Sequence, residues 1–178
     1  MILSDFDLMS VINGKRLVIT PFDQELVREN GIDLRLDNEV GRHPKHGDDF
    51  VMDPTVEEHR AKSYEVFKNQ DEIIIHPHEQ ILLSTNEEIS VPNDLMGFVE
   101  LRSTWARHGL SMPPTIIDAG FSGNVTLEVI NHSPYKIKLK PMQRFAHIIF
   151  AKTSSQVANA YSGQYKGQRG VRIPKLLK

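Results

Sequence analysis

Between residues 72 and 150 the chain repeats one pattern: a short apolar run, then a residue that stops it. Ile73-Ile74-Ile75 halts at Pro77, Ile81-Leu82-Leu83 at Asn86, and Ile89 to Val91 at Pro92-Asn93. Gly97 to Leu101, Ile116-Ile117, Val125 to Ile130, Ile137 to Leu139 and Phe145 to Phe150 continue the series. Runs this short, evenly punctuated by Pro, Gly and Asn, read as strands of an antiparallel sandwich or barrel. No strand alternates with a helix at βαβ spacing. Neither GxGxxG nor GxxxxGK followed by Ser or Thr occurs, so Rossmann and P-loop folds are poor fits. At 178 residues the chain has the size of one domain with a substantial core, and a single domain over 1–178 is expected.

Upstream, Ser4 caps an expected short helix with Asp5 and Asp7 at its positive end and Leu8, Val11 and Ile12 as its apolar stripe. Gly14 breaks it, and Leu17-Val18-Ile19 begins a strand stopped by Pro21. After the Asn30-Gly31 turn, Ile32, Leu34 and Leu36 alternate with Asp33 and Arg35 on the opposite face. Residues 41–71 show no clear period and read as a loop-rich excursion with a short helix near 56–68.

No window approaches the roughly 20 apolar residues of a membrane helix. The N-terminus has no basic segment before an apolar one, so a secretory signal is not expected and the chain reads as cytoplasmic. It has no cysteine, which removes disulfides, thiolate catalysis and zinc sites that use sulfur. Charge is divided unevenly. Residues 1–128 hold 11 Lys/Arg and all 23 Asp/Glu, whereas residues 129–178 hold 10 Lys/Arg and no acid. Such a basic final third suggests an anionic partner, either a phosphate-bearing small molecule or nucleic acid, or else a surface offset by the acidic remainder of the fold.

Four segments carry residues suited to chemistry. In Val125-Thr126-Leu127-Glu128-Val129, period two sets Glu128 on the face opposite the three valine and leucine side chains. Two readings stand: a solvent-facing carboxylate, or one held in a partly apolar pocket with a raised pKa, able to exchange protons near neutral pH. The run Arg102-Ser103-Thr104-Trp105-Ala106-Arg107 offers two guanidinium forks and two hydroxyls, groups suited to phosphate. In Thr115 to Gly123, Asp118 is placed to accept a sugar hydroxyl or to cap a turn. Near the terminus, Tyr161, Tyr165, Lys166, Gln168 and Arg169 lie among three glycines, which suits a mobile flap over a ligand or a plain solvated tail. The histidines, including His43, His46 and the His76-Pro77-His78 pair, read as surface or turn residues rather than metal ligands.

Together these segments resemble a known family. RSTWAR, IDAGFSG, TLEVIN and YKGQRG, with the earlier MILSDFDL, NGIDLRL and HPHEQILLSTNEEISVP, are similar in order and spacing to the dCTP deaminases of the dUTPase-like superfamily. The resemblance implies a mainly β fold, a distorted β-barrel (β-clip), assembled as a homotrimer with active sites at subunit interfaces. It implies zinc-independent hydrolysis of dCTP to dUTP and ammonia, with Glu128 as general acid/base and Arg107 and Ser103 beside it. Arg102, Ser103 and Thr104 match the triphosphate-binding run, Asp118 the residue bonded to the 3′-hydroxyl, and the backbone of Thr126 and Leu127 the reader of the cytosine edge. Tyr161, Lys166 and Gln168 belong to a closing tail over about 160–178. Mg²⁺ is expected to arrive with the triphosphate, dTTP is a candidate inhibitor, and neither nucleic acid nor membrane is an expected partner.

This sequence departs from the family pattern at three places. Gln164 stands where a Lys often precedes the tail Tyr, leaving Lys166 to take the phosphate contact. Trp105 replaces a smaller aliphatic residue. Thr115 stands two residues before the Ile117-Asp118 pair, where members that also cleave dUTP to dUMP carry Gly. A deaminase that stops at dUTP is therefore the first expectation and a bifunctional deaminase–diphosphatase the second. A non-catalytic trimeric β-barrel that binds nucleotides or nucleic acid is the alternative of a different class.

Overall fold

The computed structural model describes residues 1–177. Helix α1 (Asp5–Asn13) is capped as expected: the Ser4 hydroxyl accepts from the Asp7 amide and the Asp7 carboxylate accepts from the Ser4 amide. Its Leu8 and Val11 are buried and Ile12 packs against the same core. Strands follow as β1 (Val18–Thr20), β2 (Val27–Arg28), β3 (Gly31–Arg42), β4 (Glu65–Phe67), β5 (Ile73–Ile75) and β6 (Gln80–Ser90). The series continues with β7 (Leu95–Leu101), β8 (Leu110–Ser111), β9 (Thr115–Ile117), β10 (Ser122–Asn131), β11 (Ile137–Leu139) and β12 (Arg144–Lys152). Two short helices interrupt them, α2 (Glu57–Ala61) and α3 (Ser103–Arg107). No helix among the described residues is long and apolar enough to cross a membrane.

The main sheet runs β8-β10-β6-β3-β12-β7-β9, with β1 added to β6 and β2 and β4 added to β3, while β5 and β11 form a separate ribbon. Strand β3 makes this sheet curl. Its first half pairs with β12, Ile32 opposite Ile148, and its second half with β6, Val40 opposite Leu83. Within the pairing with β6 the register slips between Leu36 and Val40. A strand bends at such an irregularity, so the sheet folds toward a half-barrel. Leu34, Leu36, Ile81, Leu83, Val129, Phe145 and Phe150 fill the inside with no exposed surface. Each such side chain contributes roughly 1.5–3 kcal/mol by leaving water. The mainly β expectation is met.

Local expectations are revised in two places. The sequence reading stops a strand at Asn86, yet β6 passes through it as one strand. The Thr85 hydroxyl donates to the Glu87 carbonyl (2.8 Å), and the register slips opposite it, between Asn124 and Thr126, so the irregularity is absorbed as a bulge. The helix expected over 56–68 is only α2, because Tyr64 turns inward and residues 65–67 join β3 as β4. Both faces of β3 are covered. Asp33 is 2% exposed, and Arg35 donates to the fully buried Glu87 through Nε (2.7 Å) and its own amide (2.7 Å).

The basic final third is partly neutralised within the chain. Lys138 and Lys140 approach Glu72 at 3.0 and 3.9 Å, and Arg169 pairs with Glu88. The tail lies along β10, where the Gly167 amide donates to the Ser122 carbonyl (2.7 Å) and the Asn124 amide to the Gln168 carbonyl (3.1 Å), and it reaches β3, where the Val171 amide donates to the Glu39 carboxylate (3.0 Å). Gly170 enables that last contact, since it has φ of +59° and a Cβ there would collide with the Glu39 carboxylate. Gly170→Ala is expected to weaken tail docking by about 1–2 kcal/mol. Limited proteolysis within 165–177 should then run about fivefold faster or more, with cleavage of the sheet unchanged. Equal rates would show that Glu39 and Gly170 do not hold the tail.

Candidate active site

Along β10 the alternation holds. Val125, Leu127 and Val129 are buried, while Thr126, Glu128 and Ile130 are half-buried on the other face. That second face is not open water. Leu82 lies directly across from Glu128 on β6, and Tyr64 and Val171 pack with Leu82 into a small apolar cluster. Burial pushes the Glu128 carboxyl above its ordinary range, opposed only by a hydrogen bond from its own backbone. The carboxylate therefore stands in the second of the two environments open to it, a partly apolar pocket.

The pocket is a cleft of about 400 Å³ whose walls include Tyr64, Gln80, Thr115, Asp118, Thr126, Glu128, Tyr161, Gln168 and Arg172. Strand β9 delivers Asp118 at its end, and β10 delivers Thr126 and Glu128. On its outer edge β10 pairs with β8 only at Ile130 and Asn131, and with the tail at Gly123. Between those points no strand among the described residues pairs with the outer edge, so β10 backbone beside Glu128 is available to a flat ligand presenting donors and acceptors. Leu127 offers that backbone alone, because its side chain is 1% exposed.

The second group of candidate residues lies elsewhere. Arg102 follows β7 and caps α3, which Trp105 pins in place: its indole N–H donates to the Arg144 carbonyl (2.9 Å) and its ring packs against Phe145. Trp105 therefore anchors the run between Arg102 and Arg107. Arg102 Nε lies 3.4 Å from Asp33, which is shared with His147 (3.0 Å) and Arg144 (3.8 Å). Burial raises the Asp33 carboxyl, but the His147 hydrogen bond and the two guanidinium groups more than offset it and hold the group below its ordinary range. Ser103, Thr104 and Arg107 are exposed. None of Arg102, Ser103, Thr104 and Arg107 lines the Glu128 cleft, and neither does Lys166.

A family model described as dCTP deaminase-like matches residues 2–153. The chain belongs to the dCTP deaminase-like family. It is 46% identical over 175 residues to the dCTP deaminase of Saccharolobus solfataricus, covering 98% of this chain and 92% of that protein. It is also 43% identical to a probable deoxyuridine 5′-triphosphate nucleotidohydrolase of Sulfolobus islandicus rod-shaped virus 1, covering 98% and 99%. Among solved structures, the 2′-deoxycytidine 5′-triphosphate deaminase from Agrobacterium tumefaciens superposes with a TM-score of 0.65 at 19% identity. That match covers 84% of this chain but 46% of the other, so this chain spans under half of that longer one, and the likeness concerns the fold.

Within this dCTP deaminase-like chain the structure gathers Asp118, Thr126, Glu128, Tyr161 and Gln168 into one cleft and leaves the Arg102–Arg107 run outside it. Tyr64, Gln80 and Arg172 also wall the cleft, and sequence reasoning assigned none of them a role. Tyr64 sits in the aperiodic 41–71 stretch, where neither spacing nor a motif marks it.

Proposed function

We propose that the protein hydrolyses the 4-amino group of dCTP, giving dUTP and ammonia, in the cytoplasm and without zinc. The observation that carries this reading is Glu128: a half-buried carboxylate with a raised pKa, beside unpaired strand edge, in a cleft large enough for a nucleoside. Its relatives' names agree with the substrate. In this mechanism Glu128 accepts a proton from water as the water oxygen bonds to C4 of cytosine, and the proton passes to N3. The added hydroxyl gives up its proton through Glu128 to the amino group, and the C4–N bond breaks. Uracil keeps the N3 proton, ammonia leaves, and the carboxylate is regenerated. A base with an elevated pKa suits both directions of that transfer near neutral pH.

The β10 edge at Thr126 and Leu127 reads the base, and Asp118 accepts a hydrogen bond from the sugar 3′-hydroxyl. Arg102, Ser103 and Thr104 take the triphosphate, with Arg107 orienting water and Glu128. Since those residues lie outside the cleft of their own chain, a second copy supplies them, which supports a homotrimer with sites between subunits. Mg²⁺ enters as part of the substrate, bound to the triphosphate. Among the described residues no three His, Cys, Asp or Glu side chains converge as a metal cage. Tyr161, Lys166 and Gln168 close over the nucleotide, and dTTP competes for the same site.

The viral relative's name supports a second reading, in which dUTP is cleaved onward to dUMP and pyrophosphate. Incubation with dCTP and Mg²⁺ followed by anion-exchange separation distinguishes the two. Accumulating dUTP is the expected result. Direct appearance of dUMP makes the enzyme bifunctional, and cleavage of added dUTP with dCTP untouched removes the deaminase.

A further inference from the structure

The excursion at 41–71 has one side chain that goes deep. Tyr64 is 8% exposed, although the residues after it in β4 are exposed. Three elements seat its ring. His43, at the end of β3, lies against it with ring centroids 4.0 Å apart, and Leu82 of β6 and Val171 of the tail pack on it. Among the described residues the phenol oxygen has one hydrogen-bond contact, Gln80 Nε2 at a long 3.5 Å. The excursion and tail are themselves joined, since Arg60 donates to the Pro174 carbonyl (3.2 Å) and the Leu177 amide to the Pro54 carbonyl (3.1 Å). Tyr64 and Glu128 line the same cleft, with Leu82 directly opposite Glu128 across the β6–β10 ladder.

We propose that Tyr64 is a positioning residue: its ring walls one side of the Glu128 carboxyl from water and so sets the environment in which that group gains and loses protons. This deepens the deaminase reading and its kinetic arm rests on it. Burial, and after it the charge of Glu128 across the cleft, raises the Tyr64 phenol. The other titratable groups around the carboxyl are Arg172 and Tyr165 from the tail, Tyr161, Asp118 beyond β9, and His43 behind the Tyr64 ring. Leu82, Gln80 and Thr126 bring none. A dry wall disfavours the charged carboxylate, and removing it lets water stabilise that form.

The test is the titration of Glu128 itself, followed by infrared difference spectra against Glu128→Gln in the full chain. This readout does not depend on turnover. Tyr64→Ser, and the milder Tyr64→Leu should the first fail to fold, move the titration to lower pH. Tyr64→Phe, which keeps the ring, retains the wild-type titration. With dCTP, the acid limb of kcat/KM moves down with the titration in the Ser and Leu variants. In both, kcat at neutral pH falls about tenfold while KM changes less than about threefold. An unmoved titration in a folded Ser or Leu variant overturns the proposal. So does a shift in Tyr64→Phe equal to that in Tyr64→Leu, which would assign the effect to the hydroxyl. If the titration moves as stated but the wild type does not deaminate dCTP, the deaminase reading falls and the role of Tyr64 toward Glu128 stands.

Discussion

Glu128→Gln is expected to cut ammonia release from dCTP by about a hundred- to ten-thousandfold, the range lost when a positioned acid/base is removed. Binding of dCTP, read by equilibrium dialysis, should change less than about threefold, because Gln keeps the size and register of the side chain opposite Leu82. The same substitution should act on stability with a sign set by burial. A carboxyl raised in the folded state contributes stability below the ordinary carboxylate pKa, and loses it as pH rises through the raised value. At pH 8 the wild type must hold a charged group in a partly apolar cleft, so Glu128→Gln should melt at a higher temperature. That gap should close below the ordinary carboxylate range, where the wild-type group is neutral in both states. Wild-type turnover by the variant would remove Glu128 from the chemistry, whatever its melting temperature.

Much of this cleft could be read before the fold was in view, for physical reasons that differ from residue to residue. Period two in Val125 to Val129 marks which side of β10 Glu128 occupies, because one face of a sheet strand must enter the core. What period two could not convey is what covers the other face. Leu82 comes from β6, Tyr64 from the end of an aperiodic excursion, and Val171 from the tail, and no local pattern links the three. The Asn86 stop failed for a similar reason. Asn is a turn former when its neighbours are free, but Thr85 and Glu87 are held from both sides by β3, β10 and Arg35, and the sheet carries the irregularity as a bulge. Trp105 was legible as a departure from the family pattern, but its use was not, since its hydrogen-bond partner, the Arg144 carbonyl, lies 39 positions away.

The final third shows how composition and structure divide the work. A block with 10 Lys/Arg and no acid invites an anionic partner from outside. In the fold, Glu72 and Glu88 take three of those charges, and Asp33 with Glu25 shares Arg144. Among the described residues the remaining cations of that third are Lys136 in the turn between β10 and β11, Lys152 at the end of β12, and Lys166, Arg172 and Lys175 in the tail.

The separation of Glu128 from Arg107 leads to a mixing experiment with an all-or-none contrast. Arg107 is exposed and makes no ion pair among the described residues, so Arg107→Ala should leave the fold intact, unlike loss of Arg102, which would deprive the buried Asp33 of a partner. Glu128→Gln and Arg107→Ala are each expected to be nearly inactive alone. If every site joins Glu128 of one copy to Arg107 of another, unfolding and refolding the two variants together in equal amounts regenerates intact sites. Random assortment of subunits gives about a quarter of the sites both functional groups, and activity should return to about that fraction of wild type. Were both groups drawn from one chain, no mixed assembly could contain an intact site, and mixing would restore nothing. Recovery therefore reports directly on whether the β10 cleft and the α3 run meet only between copies, independently of any structure of the assembly.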